Sequence, residues 1–312
     1  IKIAITVDDS FLERHAVGPG HTPSTVAEAL MAAFARHSIS GVYAFSGTAP
    51  ADHDSDLLRI LDQWVERGHF VSNHTHYHAN LNWIDAVHYI RDIEKTGELI
   101  ERWASQSPTR YFRYAMDNWG NTQDKFEQVS AYLSSNKYTT APINAWFYDT
   151  DFIAPHYRAS LSKDEAALQY LRKTFIETAL QQLRVQAAAA RAMFGRDISY
   201  IWLIHATPLA AECIGEILEG FATGGAEFIG LDEAMSDPIN GQPVPLVTHR
   251  FLNHIQKWAT VRGLSIDDCP PAIVDEIDRI CPMAGLSKPE VMTKVFKGIC
   301  DEVGGFWIPR TN

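Results

Sequence analysis

The sequence contains no run of eighteen or more apolar residues, and its acidic residues outnumber its basic ones. With 38 Asp and Glu against 27 Lys and Arg, the net charge is −11 at pH 7. A transmembrane helix needs about 20 consecutive apolar residues, and a nucleic-acid or anionic-membrane surface needs a basic patch. The sequence therefore predicts no membrane span and no nucleic-acid partner.

Cysteine is also scarce, with four in 312 residues and none among the first two hundred. No two cysteines stand two to four residues apart, as thiolate zinc sites require. A disulfide among Cys269, Cys281 and Cys300 would fit an exported protein, whereas free thiols would fit a cytosolic one. The chain begins at Ile1 rather than at Met, as in a processed secreted protein or a chain whose first residues are missing. We expect a secreted or periplasmic location.

Histidine, by contrast, is concentrated in one segment, which carries four of them between Gly68 and His78. His74 and His78 are four residues apart, a step that places two imidazoles side by side on a helical turn for metal binding. Histidines in loops also donate hydrogen bonds without touching a metal. The spacing indicates a metal site without proving one.

The chain opens with an alternating β-branched segment that ends at two adjacent carboxylates, Asp8 and Asp9. Successive strand side chains point to opposite faces, but at the frayed end of a strand both can turn into one cleft. One carboxylate could then bind a metal while the other accepts a proton. The alternative is that both acids cap the following loop.

Predicted strands and helices alternate along residues 1–235, which is typical of a parallel α/β sheet. Predicted strands cover 1–8, 42–45, 70–72, 111–114, 138–142, 145–148, 200–204 and 227–231, and one long helical stretch covers 161–194. Functional groups recur at the carboxyl ends of these strands, where barrels and doubly wound sheets place their active sites.

The second part of the chain, residues 236–312, begins with a linker rich in Pro and Gly. Three or four short helices are predicted after Arg250. We expect this helical extension to pack beside the mouth of the active site or to form a contact in a homo-oligomer.

Six short motifs follow one another along residues 1–235. They are Thr6–Ser10 (T-V-D-D-S), Gly41–Phe45, Gly68–Leu81, Phe112–Arg113, Ile201–His205 and Phe228–Ala234. In this order they resemble the motifs of the polysaccharide deacetylase family, the NodB-homology fold of carbohydrate esterases. The resemblance implies an α/β fold, a distorted (β/α)7-type barrel, for residues 1–235, with residues 236–312 as a small C-terminal helical extension.

The resemblance also implies a metal site. Asp9, His74 and His78 would bind one divalent ion, leaving further positions for water and substrate. Two imidazoles and one carboxylate suit zinc, which we expect first, and also cobalt, nickel, manganese or iron.

Catalytic roles follow from the same resemblance. Asp8 would be the general base for the attacking water, and Arg113 would hold Asp8 ionised through a charge-assisted hydrogen bond. His205 would be the general acid that protonates the leaving amine. We expect Asp151 to orient His205, with Asp149 as the alternative.

The leading hypothesis is a metal-dependent hydrolase that removes acetyl groups from N-acetylated sugars, as poly- or oligosaccharides, with metal-activated water. The residues after Arg113 depart from the family pattern, so the alternative is a related hydrolase of a small cyclic or linear amide. A glycan predicts an open groove lined with aromatic residues, and a small amide predicts a closed pocket roofed by the C-terminal helices. A third hypothesis is a carbohydrate-binding module without catalytic activity.

Overall fold

The computed structural model describes residues 1–12, 17–266 and 271–295. Its seven described strands form one sheet. The strands are β1 Lys2–Asp8, β2 Tyr43–Ser46, β3 Phe70–Asn73, β4 Tyr111–Phe112, β5 Thr139–Thr140, β6 Ser199–His205 and β7 Glu227–Ile229.

Helices follow most of the strands and surround the sheet. The α-helices in the described ranges are α1 Pro23–Arg36, α2 Leu58–Glu66, α3 Ala86–Ala104, α4 Gln123–Ser135, α5 Ile153–Ser162, α6 Glu165–Phe194, α7 Pro208–Thr223, α8 Leu231–Met235, α9 Pro238–Gly241, α10 His254–Val261, α11 Pro271–Asp278 and α12 Lys288–Val295. None of these described helices combines the length and apolar character that crossing a bilayer requires.

The sheet is parallel in every pairing and has the order β5-β4-β3-β2-β1-β6. Strand β7 pairs with Lys2–Ala4 of β1, and β2 pairs with Thr6–Asp8 of the same strand. The sheet curls into a half-barrel with surrounding helices. The predicted α/β class and distorted barrel are confirmed.

Strand β1 lies at the centre of this arrangement because its sequence is apolar on both faces. All residues from Ile3 to Asp8 are buried, as is usual when a parallel sheet is covered on both sides. Its partner β6 runs alongside in register, so that Asp8 pairs with His205. Asp8 and His205 are 197 positions apart in the sequence. The sheet nevertheless brings them to the same edge, at the carboxyl ends of β1 and β6.

Helix starts follow local sequence signals. Thr22 and Thr25 form a capping box at α1, in which each side-chain hydroxyl accepts a hydrogen bond from the other residue's backbone N–H, at 3.1 and 2.9 Å. Ser287 and Glu290 flank the start of α12, where the Glu290 carboxylate accepts from the Ser287 N–H at 2.8 Å. Such contacts satisfy backbone donors that the first turn leaves unpaired.

Two predicted elements differ from the structure. The helical stretch 161–194 is divided between α5 and α6, because Lys163 adopts a left-handed conformation with φ 52° and Asp164 caps the second helix. The predicted strand 145–148 is reduced to one bridge between Ala145 and Trp202. Tyr148, with φ 57°, then turns the chain into a short 3₁₀ helix, Asp149–Phe152.

The C-terminal helices pack on the first part of the chain, α10 against α6 and α12 against α5. The division of the chain at residue 235 stays a prediction. Cys281 is a free thiol in contact with Asp164 at 3.7 Å. Cys269 and Cys300, its proposed disulfide partners, lie outside the described residues.

Candidate active site

Three predicted metal ligands lie together at the carboxyl edge of the sheet. One ligand atom each from Asp9, His74 and His78 lies within 4.8 Å of the other two, and all three residues are buried. The imidazole centroids of His74 and His78 are 4.8 Å apart with planes at 77°. Asp9 and His74 are 65 residues apart in the sequence, and the pairing of β1, β2 and β3 brings them together in space.

The two histidines do not lie on a helical turn, as their spacing predicted. The chain leaves β3 in an irregular segment in which Thr75 and His78 adopt positive φ angles, 65° and 55°. Asp9 is also left-handed, with φ 47°. Non-glycine residues with positive φ carry backbone strain and are frequent at functional sites. A backbone reversal, rather than helical periodicity, brings the two rings together.

A glycine makes room beside this group. A Cβ at Gly47 would lie 3.1 Å from Asp9 Oδ1 and 3.7 Å from the His78 Cβ. The first distance is shorter than ordinary van der Waals contact, so a larger residue here would displace the carboxylate. Gly47 thus belongs to the packing that holds Asp9 in place.

His74 is oriented by the backbone. Its Nδ1 lies 2.9 Å from the carbonyl oxygen of Arg113 and donates to it. Its Nε2 is buried and has no hydrogen-bond partner among the described residues. Burial lowers the pKa of His74 to about 3, with the neighbouring His78 adding to the effect. The ring is therefore neutral with a free acceptor nitrogen, which is the form that binds a metal.

Asp8 faces the same region and is held by Arg113. The guanidinium donates from Nη1 to Asp8 Oδ1 at 2.6 Å and to Thr6 Oγ1 at 2.8 Å. It also stacks 3.9 Å from the Phe45 ring centroid. The other carboxylate oxygen of Asp8 lies 3.5 Å from His74 Nε2. Asp8 is thus fixed beside the three ligands with one oxygen turned toward them.

His205 is oriented by Asp149 and not by Asp151, so the expected role of Asp151 is wrong. Asp149 accepts from the His205 ring Nδ1 at 2.9 Å and from its backbone N–H at 2.7 Å. Residues two apart in a 3₁₀ turn point in different directions, since the turn has three residues. Asp151 accordingly points away and pairs with Lys288 Nζ at 2.6 Å.

The pairing with Asp149 changes the acidity of His205. Burial lowers the pKa of an imidazole, but the negative charge and hydrogen bond of Asp149 outweigh it, helped by Asp9 and Asp8, and raise the pKa to about 9. His205 therefore holds a proton at neutral pH, as a general acid must.

His76 lies outside the group formed by Asp9, His74 and His78. Its Nε2 lies 2.9 Å from Asp52 Oδ2, and its Nδ1 lies 2.8 Å from Thr48 Oγ1. Both ring nitrogens are engaged on the far side of the segment. His76 tethers the His74–His78 segment to the residues that follow β2.

A cavity of about 340 Å³ opens beside Asp8, His78 and His205. This volume is at the lower end of the range of small-molecule sites. The lining of the cavity also includes Trp146, Tyr148 and Met116, the last of which has φ 57°. The C-terminal segment contributes Phe251, Asp278, Lys288, Pro289 and Met292. The C-terminal segment therefore lines the candidate site, in agreement with the first of its two expected positions.

Sequence reasoning missed the contribution of Lys288. The S-x-x-E pattern of Ser287 and Glu290 is a signal for the start of α12, but no local pattern indicates that the helix faces a cavity. Met116 lies among the residues after Arg113 that depart from the family pattern. Its left-handed conformation is visible only in the structure.

Comparison with known proteins bears on the first part of the chain. The family model for polysaccharide deacetylase matches residues 1–133. The matched residues include β1 and the segment with Asp9, His74 and His78, and the match supports the resemblance of this part of the chain to the polysaccharide deacetylase family. No curated protein matches the chain.

Several solved structures are similar to the chain. BA3943 from Bacillus anthracis, described as a CE4 family pseudoenzyme, is 13% identical, with 75% of this chain and 65% of that chain covered and a TM-score of 0.49. PdaA from Bacillus subtilis, a family 4 carbohydrate esterase, is 16% identical over 75% and 80% of the chains, with a TM-score of 0.44. A family 4 acetyl xylan esterase from Clostridium thermocellum, in complex with a cobalt ion, is 17% identical over 79% and 100%, with a TM-score of 0.47.

Proposed function

We propose that this chain is a metal-dependent hydrolase that removes the acetyl group from an N-acetylated sugar. The observation that carries the proposal is the convergence of Asp9, His74 and His78 beside an acid, Asp8, that is outside the ligand set. A protonated histidine, His205, faces the same cavity. Hydrolysis of an amide needs these parts: a site for a Lewis acid, a base and an acid.

The three ligands fit a divalent ion. Two imidazole nitrogens and one carboxylate oxygen are a common donor set for zinc, and three protein ligands leave a position open. The buried Nε2 of His74, without a described hydrogen-bond partner, is the kind of atom that a ligand normally satisfies. An ion held there would supply Lewis-acid polarisation of the acetyl carbonyl and would acidify water.

Asp8 is the proposed base. Arg113 holds one of its oxygens at 2.6 Å, which fixes the carboxylate while the other oxygen remains directed to the ligand group. Asp8 would take the proton of the attacking water. Because Arg113 is fully buried, its charge acts on Asp8 with little screening by solvent.

His205 is the proposed acid. Its Nδ1 is committed to Asp149, so its Nε2 is the nitrogen that can donate a proton to the leaving amine. Asp149 both orients the ring and stabilises its charged form. Proton donation is required because an unprotonated amine is a poor leaving group.

A second candidate function is hydrolysis of a small cyclic or linear amide. The observation that favours it is the contribution of C-terminal residues to the lining of the cavity, among them Phe251, Lys288 and Met292. A cavity of about 340 Å³ suits a compact substrate better than an internal unit of a polymer. A short oligosaccharide or a chain end remains compatible with it.

The test is release of acetate from N-acetylglucosamine and its oligomers by the protein loaded with zinc, cobalt or manganese. We expect release with at least one metal, and its loss in Asp8→Asn at unchanged metal content. Absence of acetate with every metal and oligomer would contradict the proposal. Hydrolysis of a small amide by the same preparations would then support the second candidate, whereas sugar binding that Asp8→Asn leaves unchanged, without turnover, would indicate a binding module.

A further inference from the structure

The cavity contains an ion pair that the proposed reaction does not use. Lys288, at the start of α12, donates to Asp151 Oδ1 at 2.6 Å. Both residues line the cavity beside His205 and Asp149. The Asp151 side chain is only 6% exposed, whereas that of Lys288 is 25% exposed. The pair thus joins the C-terminal segment to the wall of the active site.

Two buried polar atoms of residues that line the cavity are unsatisfied, and one of them belongs to this pair. Within the described residues, Asp151 Oδ2 and Trp146 Nε1 are buried and have no hydrogen-bond partner. Leaving a buried carboxylate oxygen or indole N–H unpaired costs free energy. Both residues line the cavity, so a ligand in the cavity can supply the missing partners.

The chemistry of these atoms indicates the kind of ligand. The charges of Lys288 and Asp151 compensate each other, so the pair favours a neutral group over an anion. Lys288 Nζ and Trp146 Nε1 are donors, while Asp151 Oδ2 is an acceptor. A hydroxyl group donates one hydrogen bond and accepts up to two. A sugar ring presents several hydroxyl groups around its edge, together with an apolar face of C–H groups that can pack on Trp146.

We propose that Asp151 and Lys288 form a receptor for a hydroxyl group of a neutral sugar substrate, with Trp146 as an additional donor. This inference rests on the proposed deacetylase function. It makes Lys288 a specificity-determining residue from outside residues 1–133, which match the polysaccharide deacetylase model.

The surroundings hold Lys288 in position. Arg158, which is buried, donates to three backbone carbonyls of the preceding loop, those of Asp278, Ile280 and Leu286, at 2.7, 3.1 and 2.9 Å. This clamp fixes the chain between α11 and α12. Lys288 is therefore presented by an ordered loop, and a preorganised donor loses less entropy when it binds a ligand.

The experiment compares wild type, Lys288→Met and a matched control, Lys173→Met, whose side chain is 72% exposed on α6. Each metal-loaded protein is assayed with N-acetylglucosamine and its monodeoxy analogues. A lost hydrogen bond to a charged group corresponds to a loss of about 10- to 100-fold. For wild type and for Lys173→Met, we expect kcat/KM for one of the analogues to be lower than kcat/KM for the parent sugar by that factor.

With Lys288→Met, the parent sugar should lose the same factor, mainly through a higher KM, and the difference between the parent and that analogue should disappear. Lys288→Gln keeps an N–H donor and should restore part of the discrimination. Melting temperatures identify variants whose fold is damaged, and for those Lys288→Gln serves in place of Lys288→Met. If Lys288→Met and Lys288→Gln both discriminate between the parent sugar and its analogues as wild type does, the proposed receptor is refuted.

Failure of the proposed function is recognised separately. If wild type releases no acetate, binding of the same sugars is measured by calorimetry. Weaker binding of the parent sugar to Lys288→Met than to wild type would support the receptor without the reaction. Equal binding to both, or no binding to wild type, would overturn it.

Discussion

A buried ion pair between the C-terminal segment and the loop after Arg113 is predicted to make the fold sensitive to the loss of either partner alone. Lys257 of α10 donates to Asp117 Oδ2 at 2.8 Å and to the Asp117 carbonyl, and its Nζ lies 3.6 Å from the centroid of the Trp119 ring. Both charged residues are 1% exposed. Burial lowers the pKa of Lys257 and raises that of Asp117, so desolvation exceeds their mutual attraction.

Lys257→Met removes one charge and leaves the other buried. Breaking such a pair costs about 3 to 5 kcal/mol. For a chain of this size each kcal/mol lowers the melting temperature by about 2 °C, so we expect a decrease of about 6 to 10 °C. The double variant Lys257→Met/Asp117→Asn contains no buried charge and should recover most of the loss. Asn is chosen because Asp117 has φ 51°, a conformation that Asn tolerates.

The pH dependence gives an independent check. Without Lys257, the pKa of Asp117 in the folded state lies above its unfolded value, so the folded state favours the protonated acid. Such a group contributes stability below its unfolded pKa and loses that contribution as the pH rises through the folded pKa. The deficit of Lys257→Met against wild type should therefore be smaller at mildly acidic than at neutral pH.

The assay is thermal unfolding followed by circular dichroism, with Lys173→Met as the exposed control, for which we expect a change below about 0.5 kcal/mol. A melting temperature of Lys257→Met within about 1 °C of wild type would refute the estimate, since about 2 °C corresponds to each kcal/mol. A double variant less stable than Lys257→Met would refute the explanation by an unpaired charge.

Three further predictions concern the site. His74→Gln should lose the bound metal, measured by elemental analysis of the dialysed protein, while its far-ultraviolet circular dichroism stays unchanged. Asp8→Asn should keep the metal and lose about 10²- to 10⁴-fold in kcat, the usual contribution of a general base; an unchanged kcat would exclude that role. Asp149→Asn should lower the pKa of His205, because burial then acts without the compensating charge. In the pH profile of kcat/KM, the basic limb should therefore move to lower pH. An unchanged profile would contradict the pairing of Asp149 with His205.

Much of the fold was predictable because its determinants are local. The first strand and its terminal acids are visible as an alternating apolar segment followed by Asp8 and Asp9, and helix starts carry caps such as Thr22. Parallel pairing then requires the ends of such strands to meet at one edge. That rule, together with the motif order, was sufficient to bring Asp9, His74 and His78 together.

The orientation of individual side chains was not predictable in the same way. Asp149 and Asp151 are two residues apart and chemically identical, and the left-handed Tyr148 decides which of them faces His205. The spacing of His74 and His78 was likewise interpreted as helical, although strained backbone at Thr75 produces the same proximity.

The C-terminal segment contacts the site from two sides, which changes what can be tested by truncation. Lys257 neutralises Asp117 in the loop that follows Arg113, and Lys288 reaches Asp151 in the cavity wall. Deleting residues 240–312 would remove both lysines, leaving Asp117 and Asp151 without their partners and removing the C-terminal lining of the cavity. Loss of activity in that deletion would therefore not distinguish a role in stability from a role in substrate binding. Lys257→Met and Lys288→Met separate them, because the first should lower the melting temperature and the second should raise KM.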